Sequence, residues 1–153
     1  MKPEIAEIYG NKVRIRVMGL CWQQDALLLV RHDMGDSDFW APPGGGVEFG
    51  ETLEGALKRE FLEETRLEVS VGKFLFGCEF LKNPLHAIEL FFEVTYISGK
   101  LKAGIDPELQ IVRSAHFFST EEIGHIPASG KHGIFSRVES PDKLRYLSGF
   151  YRI

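Results

Sequence analysis

Apolar and polar side chains alternate near the start of the chain, which predicts a strand over residues 12–19. One face of this strand would hold Val13, Ile15 and Val17, and the opposite face would hold Arg14, Arg16 and Met18. Residues 26–30 are uniformly apolar, so the pattern predicts a second, central strand after a hairpin turn at residues 23–25.

Strand patterns continue in the second half of the chain. They cover residues 68–76, 78–81, 86–98 and 111–118. Gly77 is expected to interrupt the first two of these strands, and residues 119–123 have the form of a short capped helix. Residues 124–153 carry apolar side chains that are expected to pack against another part of the protein or a second copy of it. They could form an added helix, an added strand or a homodimer contact. We therefore expect a single domain over residues 1–153, with residues 124–153 as a C-terminal extension.

An unusual amphipathic pattern lies between residues 52 and 67, where a helix is predicted with Thr52 as its N-cap. On a helical wheel, one side of this segment begins with apolar side chains and continues with carboxylates: Leu53, Ala56, Leu57, Glu60, Glu63 and Glu64. A solvated helix places its charges opposite the apolar stripe, and like charges within one turn repel one another. The pattern therefore indicates a bound cation, and Mg²⁺ prefers such oxygen ligands. The alternative is an ordinary acidic helix, neutralised by Lys58, Arg59 and Arg66.

Three successive glycines precede this helix. Gly44, Gly45 and Gly46 follow Pro42 and Pro43. Glycine lets the backbone approach a ligand closely and adopt positive φ angles. Such a segment can supply carbonyls to a metal or amides to a phosphate, which favours a ligand site over an ordinary acidic helix.

These residues resemble a known motif. Gly45, Glu51 and residues 59–67 have the spacing of the box of the Nudix (MutT-like) hydrolases, GX5EX7REUXEEXGU, where U is aliphatic or aromatic. Every specified position matches except Arg66, which stands where the pattern has glycine and leaves the end of the helix open. The FFSTEEI segment resembles the stretch that closes such domains, so the resemblance covers residues 12–123. It implies an α/β fold, an α/β/α sandwich with a mixed β-sheet.

The resemblance also implies a function. It points to an Mg²⁺- or Mn²⁺-dependent hydrolase that cleaves the diphosphate linkage of a nucleoside diphosphate attached to another moiety, such as a nucleotide sugar, nucleoside triphosphate or dinucleotide. The metal ligands that it implies are Glu60, Glu63, Glu64 and the Gly45 carbonyl. Arg59 would orient the glutamates, Glu51 would support the loop and the metal waters, and these two residues join Glu63 as catalytic candidates.

The general base and the substrate contacts lie outside the box. Asp106 and Glu108, in a polar loop, are the loop candidates for the base, and Glu108 is carried as a catalytic candidate; a solvated turn is the alternative. Phe39 could stack on a base of the substrate, or belong to the core. Glu89 could point into the site, or outward into solvent.

Composition narrows the class of partner. A net charge of −4 over 153 residues disfavours a duplex nucleic-acid binder. Cys21 and Cys78 match neither a zinc spacing nor a redox pair, so reduced, packed thiols are expected. No segment resembles a signal peptide or reaches the roughly 20 apolar residues of a membrane span. We therefore expect a cytoplasmic protein, not bound to a membrane, with a small nucleotide-type substrate.

A different class of function remains open. The chain could be a non-catalytic Nudix-like module that senses or binds a ligand. Such modules usually lose glutamates of the box, whereas this chain keeps all of them together with Arg59. The pattern therefore favours the enzyme.

Overall fold

The computed structural model describes residues 3–33, 37–102 and 112–153. The helices are α1 Pro3–Tyr9, α2 Leu53–Thr65 and α3 Thr120–His125. The strands are β1 Lys12–Gln23, β2 Ala26–Asp33, β3 Asp38–Ala41, β4 Gly44–Gly46, β5 Glu68–Lys82, β6 Leu85–Ser98, β7 Val112–Ser119 and β8 Phe150–Arg152. Three 3₁₀ turns lie between α3 and β8, at Ala128–Gly130, Gly133–Arg137 and Pro141–Tyr146.

The strands form one mixed sheet. Its order is β3-β2-β1-β6-β5-β8, with β4 paired to β1 and β7 paired to β2. The pairs β1–β6 and β5–β8 are parallel, and the other pairs are antiparallel. Because β1 pairs with β6 along its length, residues far apart in the chain meet in register near its centre.

Each face of the sheet carries its own layer. On one face, which we call the helix face, Val17, Cys21 and Leu28 pack against Ala56, Leu57 and Phe61 of α2. On the opposite face, which we call the tail face, the core consists of Met18, Leu20, Leu27, Leu29, Phe76, Cys78, Phe91, Ile123, Ile134, Phe135 and Leu144. The second set includes α3 and part of residues 124–153, so helical segments cover both faces. The predicted α/β/α sandwich with a mixed sheet is confirmed.

The predicted break at Gly77 is wrong. The strand β5 runs without interruption through it, although its register with β6 shifts on either side of Phe74. Gly77 lies in the ladder opposite Leu90, and a Cβ there would stand 2.3 Å from the Phe150 ring. This glycine therefore makes room for the aromatic side chain of the neighbouring strand β8, rather than ending a strand.

Residues 124–153 pack on the tail face. Ile134, Phe135 and Leu144 are buried in its core, and Phe150 of β8 pairs with Gly77 of β5. Burial of these three large apolar side chains accounts for part of the apolar content that the sequence left unexplained, whereas Tyr146 and Phe150 remain exposed.

The two cysteines are free and buried, as predicted. Cys21 lies on the helix face and Cys78 on the tail face. Burial raises the pKa of the Cys21 thiol to about 11 and that of Cys78 to about 12, so both are protonated near neutral pH. Within the described ranges, no helix has the length and apolar character needed to cross a membrane.

Candidate active site on the second helix

Helix α2 begins where its sequence predicts, and its packing differs from the prediction at one residue, Leu53. The Thr52 hydroxyl caps it by accepting a hydrogen bond of 2.9 Å from the Gly55 amide. Ala56, Leu57 and Phe61 form its buried stripe, and Glu64, only 4% exposed, continues that stripe toward the glycines. Leu53, which the helical wheel placed on the same side, is instead exposed at the first turn. One carboxylate is therefore held where an apolar side chain would be expected.

The helix ends on Arg66 in the left-handed region. Its φ is 63° and ψ is 17°, and its amide donates to the Leu62 carbonyl at 3.1 Å. A non-glycine residue in this conformation costs about 1 kcal/mol. Arg66 therefore keeps the αL end that the glycine of the motif would adopt without strain, and its exposed side chain takes no part in the site.

Strand β4 presents one edge to β1 and the other edge to α2. Its amide at Gly44 donates to Glu64 Oε1 at 2.9 Å, and its carbonyl at Gly46 accepts from Arg59 Nη2 at 3.1 Å. Between them, a Cβ on Gly45 would stand 2.4 Å from Glu60 Oε1. Gly45 is therefore required to be glycine because the Glu60 carboxylate rests directly on its backbone.

Arg59 connects the carboxylates of the box. Its Nε and Nη2 donate to the two oxygens of Glu51 at 2.8 and 2.9 Å. Its Nη1 donates to Glu60 at 2.9 Å and to Glu63 at 3.3 Å. These bonds from Arg59, with one from the Glu48 amide, hold the pKa of Glu51 at about 2. The arginine thus pairs with Glu60 and Glu63 of the helix, as well as anchoring the loop through Glu51.

The remaining charge at this site is negative. Burial raises the pKa of Glu60, an effect that Arg59 opposes. Glu63 is 34% exposed and makes the longest of the Arg59 contacts, while Glu64 Oε2 lies 3.9 Å from His32 Nε2. We refer to Glu51, Glu60, Glu63, Glu64 and Arg59 as the carboxylate site. It sets four carboxylates against one guanidinium.

A hard divalent cation fits this donor set. The candidate ligands are carboxylates together with the backbone carbonyl of Gly45, all oxygen donors of the kind that Mg²⁺ and Mn²⁺ prefer. Across residues 3–33, 37–102 and 112–153, no three His, Cys, Asp or Glu side chains already form a metal-binding group. Arg59 stands between Glu60 and Glu63, so these side chains would have to turn from the arginine toward a metal.

The model of the NUDIX domain matches residues 11–137, a range that contains every residue of the carboxylate site. The chain belongs to the NUDIX domain family. A Nudix hydrolase from Nitrosomonas europaea superposes with a TM-score of 0.66 at 25% identity, covering 74% of this chain and 76% of that one. The fold expected from the resemblance is therefore that of solved Nudix structures.

Two curated relatives share the Nudix segment. An ADP-ribose pyrophosphatase from Methanocaldococcus jannaschii is 34% identical over 113 residues, which are 71% of this chain and 63% of the relative. A NAD-capped RNA hydrolase, NudC, from Vibrio vulnificus is 30% identical over 108 residues, which are 71% of this chain and 39% of the relative. The chain thus spans less than two thirds of the length of either relative.

The other predicted site residues have different positions. Phe39 is half-buried and pairs in register with His32, which places it on β3 near Glu64. Glu89 is 2% exposed, so the solvated alternative is wrong. Glu108 and Asp106 lie outside the described residues.

Sequence reasoning did not single out the partners of Glu89. Its two oxygens bond Arg16 Nη1 at 2.6 Å and His132 Nε2 at 2.7 Å. Burial raises the pKa of Glu89, but His132 and Arg16 outweigh it and hold that pKa at about 2. Arg16 could have been noticed as the cation immediately before the buried run at residues 17–21, whereas His132 follows no pattern in the sequence.

Proposed function

We propose that this chain is a metal-dependent pyrophosphohydrolase. Its substrate would be a nucleoside diphosphate linked to another moiety, cleaved by attack of water on phosphorus. The observation that carries the proposal is the placement of Glu60 and Glu64 against the Gly44–Gly46 strand, with Glu63 beside them on the helix and one arginine to balance them. A buried excess of carboxylate is unfavourable unless a cation joins it.

Each residue of the carboxylate site would have a distinct role. Glu60, Glu63, Glu64 and the Gly45 carbonyl would hold Mg²⁺ or Mn²⁺. The metal would supply charge neutralisation at the phosphates and a more acidic bound water. Arg59 orients Glu60 and Glu63, and Glu51 fixes the guanidinium of Arg59 with two hydrogen bonds. Glu108, which lies outside the described residues, is our candidate for the general base.

The substrate class can be narrowed by the names of the relatives. One is a pyrophosphatase of ADP-ribose and the other acts on NAD-capped RNA. Both names describe an adenosine diphosphate joined to a second group. We therefore place ADP-ribose and NAD-type dinucleotides ahead of nucleoside triphosphates, with Phe39 as the candidate for stacking on the base.

The test is a substrate panel with Mg²⁺ or Mn²⁺. ADP-ribose, NAD, a UDP-sugar and nucleoside triphosphates would be incubated with the protein, and release of nucleoside monophosphate or pyrophosphate would be measured. We expect metal-dependent turnover, fastest on the adenosine diphosphate esters. Absence of turnover on every member would contradict the enzyme and favour a non-catalytic ligand-binding module.

Glu63→Gln is the decisive variant. It preserves the shape of the side chain but removes its charge, so turnover should fall by about two to four orders of magnitude while the protein stays folded. Glu54→Gln is the matched control, because Glu54 lies on the same helix, pairs with Lys58 at 2.9 Å and is exposed. A Glu63→Gln protein as active as the control would refute the metal-ligand assignment.

A further inference from the structure

A second charged cluster lies across the sheet from α2. Glu89 receives hydrogen bonds from Arg16 on the neighbouring strand and from His132 in residues 124–153. The Ile134 amide donates to His132 Nδ1 at 3.1 Å, so Nε2 carries the proton that is donated to Glu89. Glu89 and His132 are 2% and 5% exposed, which makes this a fixed, buried arrangement.

This cluster lies near β4, the strand Gly44–Gly46, on the tail face of the sheet. Arg16 stands opposite Gly46 in the β1–β4 pair, and a Cβ on Gly46 would lie 3.3 Å from Arg14 Nη2. Gly46 has no side chain, so the Arg14 guanidinium has room beside it. Arg14 also stacks on the Tyr9 ring at 3.8 Å. Arg14 therefore lies next to the strand whose other edge carries the carboxylate site, and Arg16 is close enough to that site for its charge to act on Glu60.

Arg16 has hydrogen-bond donors that its ion pair does not use. Its Nε has no hydrogen-bond partner among the described residues. Glu89 occupies one N–H of Arg16, and the Arg16 side chain is 25% exposed. The guanidinium has further N–H donors and partial access to solvent, which suits it to an anion.

Stability alone is a weak reason for this arrangement. Burying an ion pair brings little net stabilisation, since the desolvation of both charges offsets their attraction. A need to hold the Arg16 guanidinium in one orientation explains the arrangement better. A guanidinium that is already fixed loses less conformational entropy when it binds a phosphate.

We propose that Arg16 binds a phosphate of the substrate and that Glu89 and His132 are positioning residues that fix its guanidinium. This inference rests on the proposed function, since the anion is the diphosphate of the same site. Residues 124–153 would then contribute to substrate affinity through His132, from the opposite face of the sheet to α2.

The test measures binding of a non-hydrolysable probe, the α,β-methylene analogue of ADP, by calorimetry in the presence of Mg²⁺. Arg16→Ala should weaken binding about tenfold or more, and Arg16→Lys should restore part of it. In turnover assays the same variant should raise KM while changing kcat little, because the contact positions the substrate. Equal affinity for wild type and Arg16→Ala would overturn the proposal, as would a wild-type protein that does not bind the probe.

A double variant separates positioning from a structural role. Glu89→Gln should weaken binding several-fold, and Glu89→Gln with Arg16→Ala should bind like Arg16→Ala alone, because Glu89 acts through the arginine. Multiplied effects in the double variant would contradict this. If Glu89→Gln fails to fold, His132→Gln takes its place in the same cycle.

The matched control is His86→Gln. His86 pairs with Glu79 at 3.1 Å, and this Glu–His pair involves the same strand β6 but the helix face of the sheet. We expect its affinity to equal that of wild type. Binding of the probe without turnover would contradict the proposed hydrolase. The binding affinities of the Arg16 and Glu89 variants would then decide the Arg16 proposal by themselves. Turnover with unchanged binding in Arg16→Ala would refute only the Arg16 assignment.

Discussion

The molecule holds two charged clusters on opposite sides of the glycine strand, and they differ in balance. The carboxylate site has four carboxylates and one guanidinium, and Glu63 at its edge is partly exposed. The tail-face cluster consists of Arg16, Glu89 and His132, and its carboxylate is buried and bonded to both other residues. One cluster is therefore short of positive charge, whereas the other keeps arginine N–H donors that Glu89 does not occupy.

This difference shows how one substrate could satisfy both clusters. A diphosphate that carries a divalent cation offers positive charge on one side and negative oxygens on the other. The cation would complete the carboxylate site, and a phosphate oxygen would complete the tail-face cluster. One ligand would therefore supply both missing partners, a cation for the carboxylate site and an anionic oxygen for the tail-face cluster.

Metal binding tests the first half of this comparison and should give the largest effect. Chelating the divalent cation should abolish turnover, and adding Mg²⁺ should raise the Tm of the wild-type protein. Glu60→Gln should lose that rise in Tm, whereas Arg16→Ala should keep it. An equal loss in both variants would mean that the clusters do not act separately.

Gly45→Ala should have the next largest effect. The added methyl group would meet the Glu60 carboxylate at 2.4 Å and push it from its position. We expect turnover to fall about tenfold to a hundredfold, because misplacing one catalytic group by about 1 Å has effects of this size. Gly50→Asn is the control: Gly50 has a φ of 91° but open space around its Cβ position, so it tests backbone strain in the same loop.

Lowering the pH should reduce the free energy of unfolding through carboxylates of both clusters, an effect that we expect to be smaller than those above. Glu89 and Glu51 have pKa values lowered to about 2, so each stabilises the fold above the ordinary value of 4.5 and loses that effect as pH falls toward 2. Glu60 has the opposite sign, since burial raises its pKa. The free energy of unfolding should therefore fall between pH 4.5 and 2, and Glu89→Gln and Glu51→Gln should each flatten this loss. Urea unfolding at several pH values measures it; a variant that keeps the full wild-type loss would contradict the effect assigned to that carboxylate.

Arg66→Gly touches neither cluster and should have the smallest effect. It replaces a strained αL residue, φ 63°, with the residue that adopts this conformation freely. We expect a gain of at most about 1 kcal/mol in the free energy of unfolding and unchanged turnover. A loss of stability would show that the arginine side chain contributes more than its backbone conformation costs.

Local geometry explains what the sequence could predict. The spacing of Glu60, Glu63 and Glu64 on one helix fixes their common side, and Thr52 marks where that helix begins. The end of the helix at Arg66 stayed open in the sequence, because an arginine adopts the αL conformation of the structure only at a cost. The family model then matches residues 11–137, consistent with the resemblance that these residues carried.

Long-range register explains what the sequence left open. Arg16 and Glu89 are 73 residues apart and meet only because β1 and β6 are parallel neighbours. His132 joins them from a segment of 3₁₀ turns that has no periodic pattern. The sequence therefore left open whether Glu89 points into solvent or into a site. For the same reason Gly77 was predicted to end a strand, although it makes room for Phe150 of the neighbouring strand.

The way α2 covers β4 also bears on solubility. An open strand edge invites pairing with another chain, and here the outward amide of Gly44 and carbonyl of Gly46 are occupied by Glu64 and Arg59. Side chains of the proposed active site thus act as a guard against edge-to-edge association. A variant that lacks these side chains would lose activity and would also expose a short unpaired strand edge. Its aggregation should therefore be measured before its inactivity is interpreted.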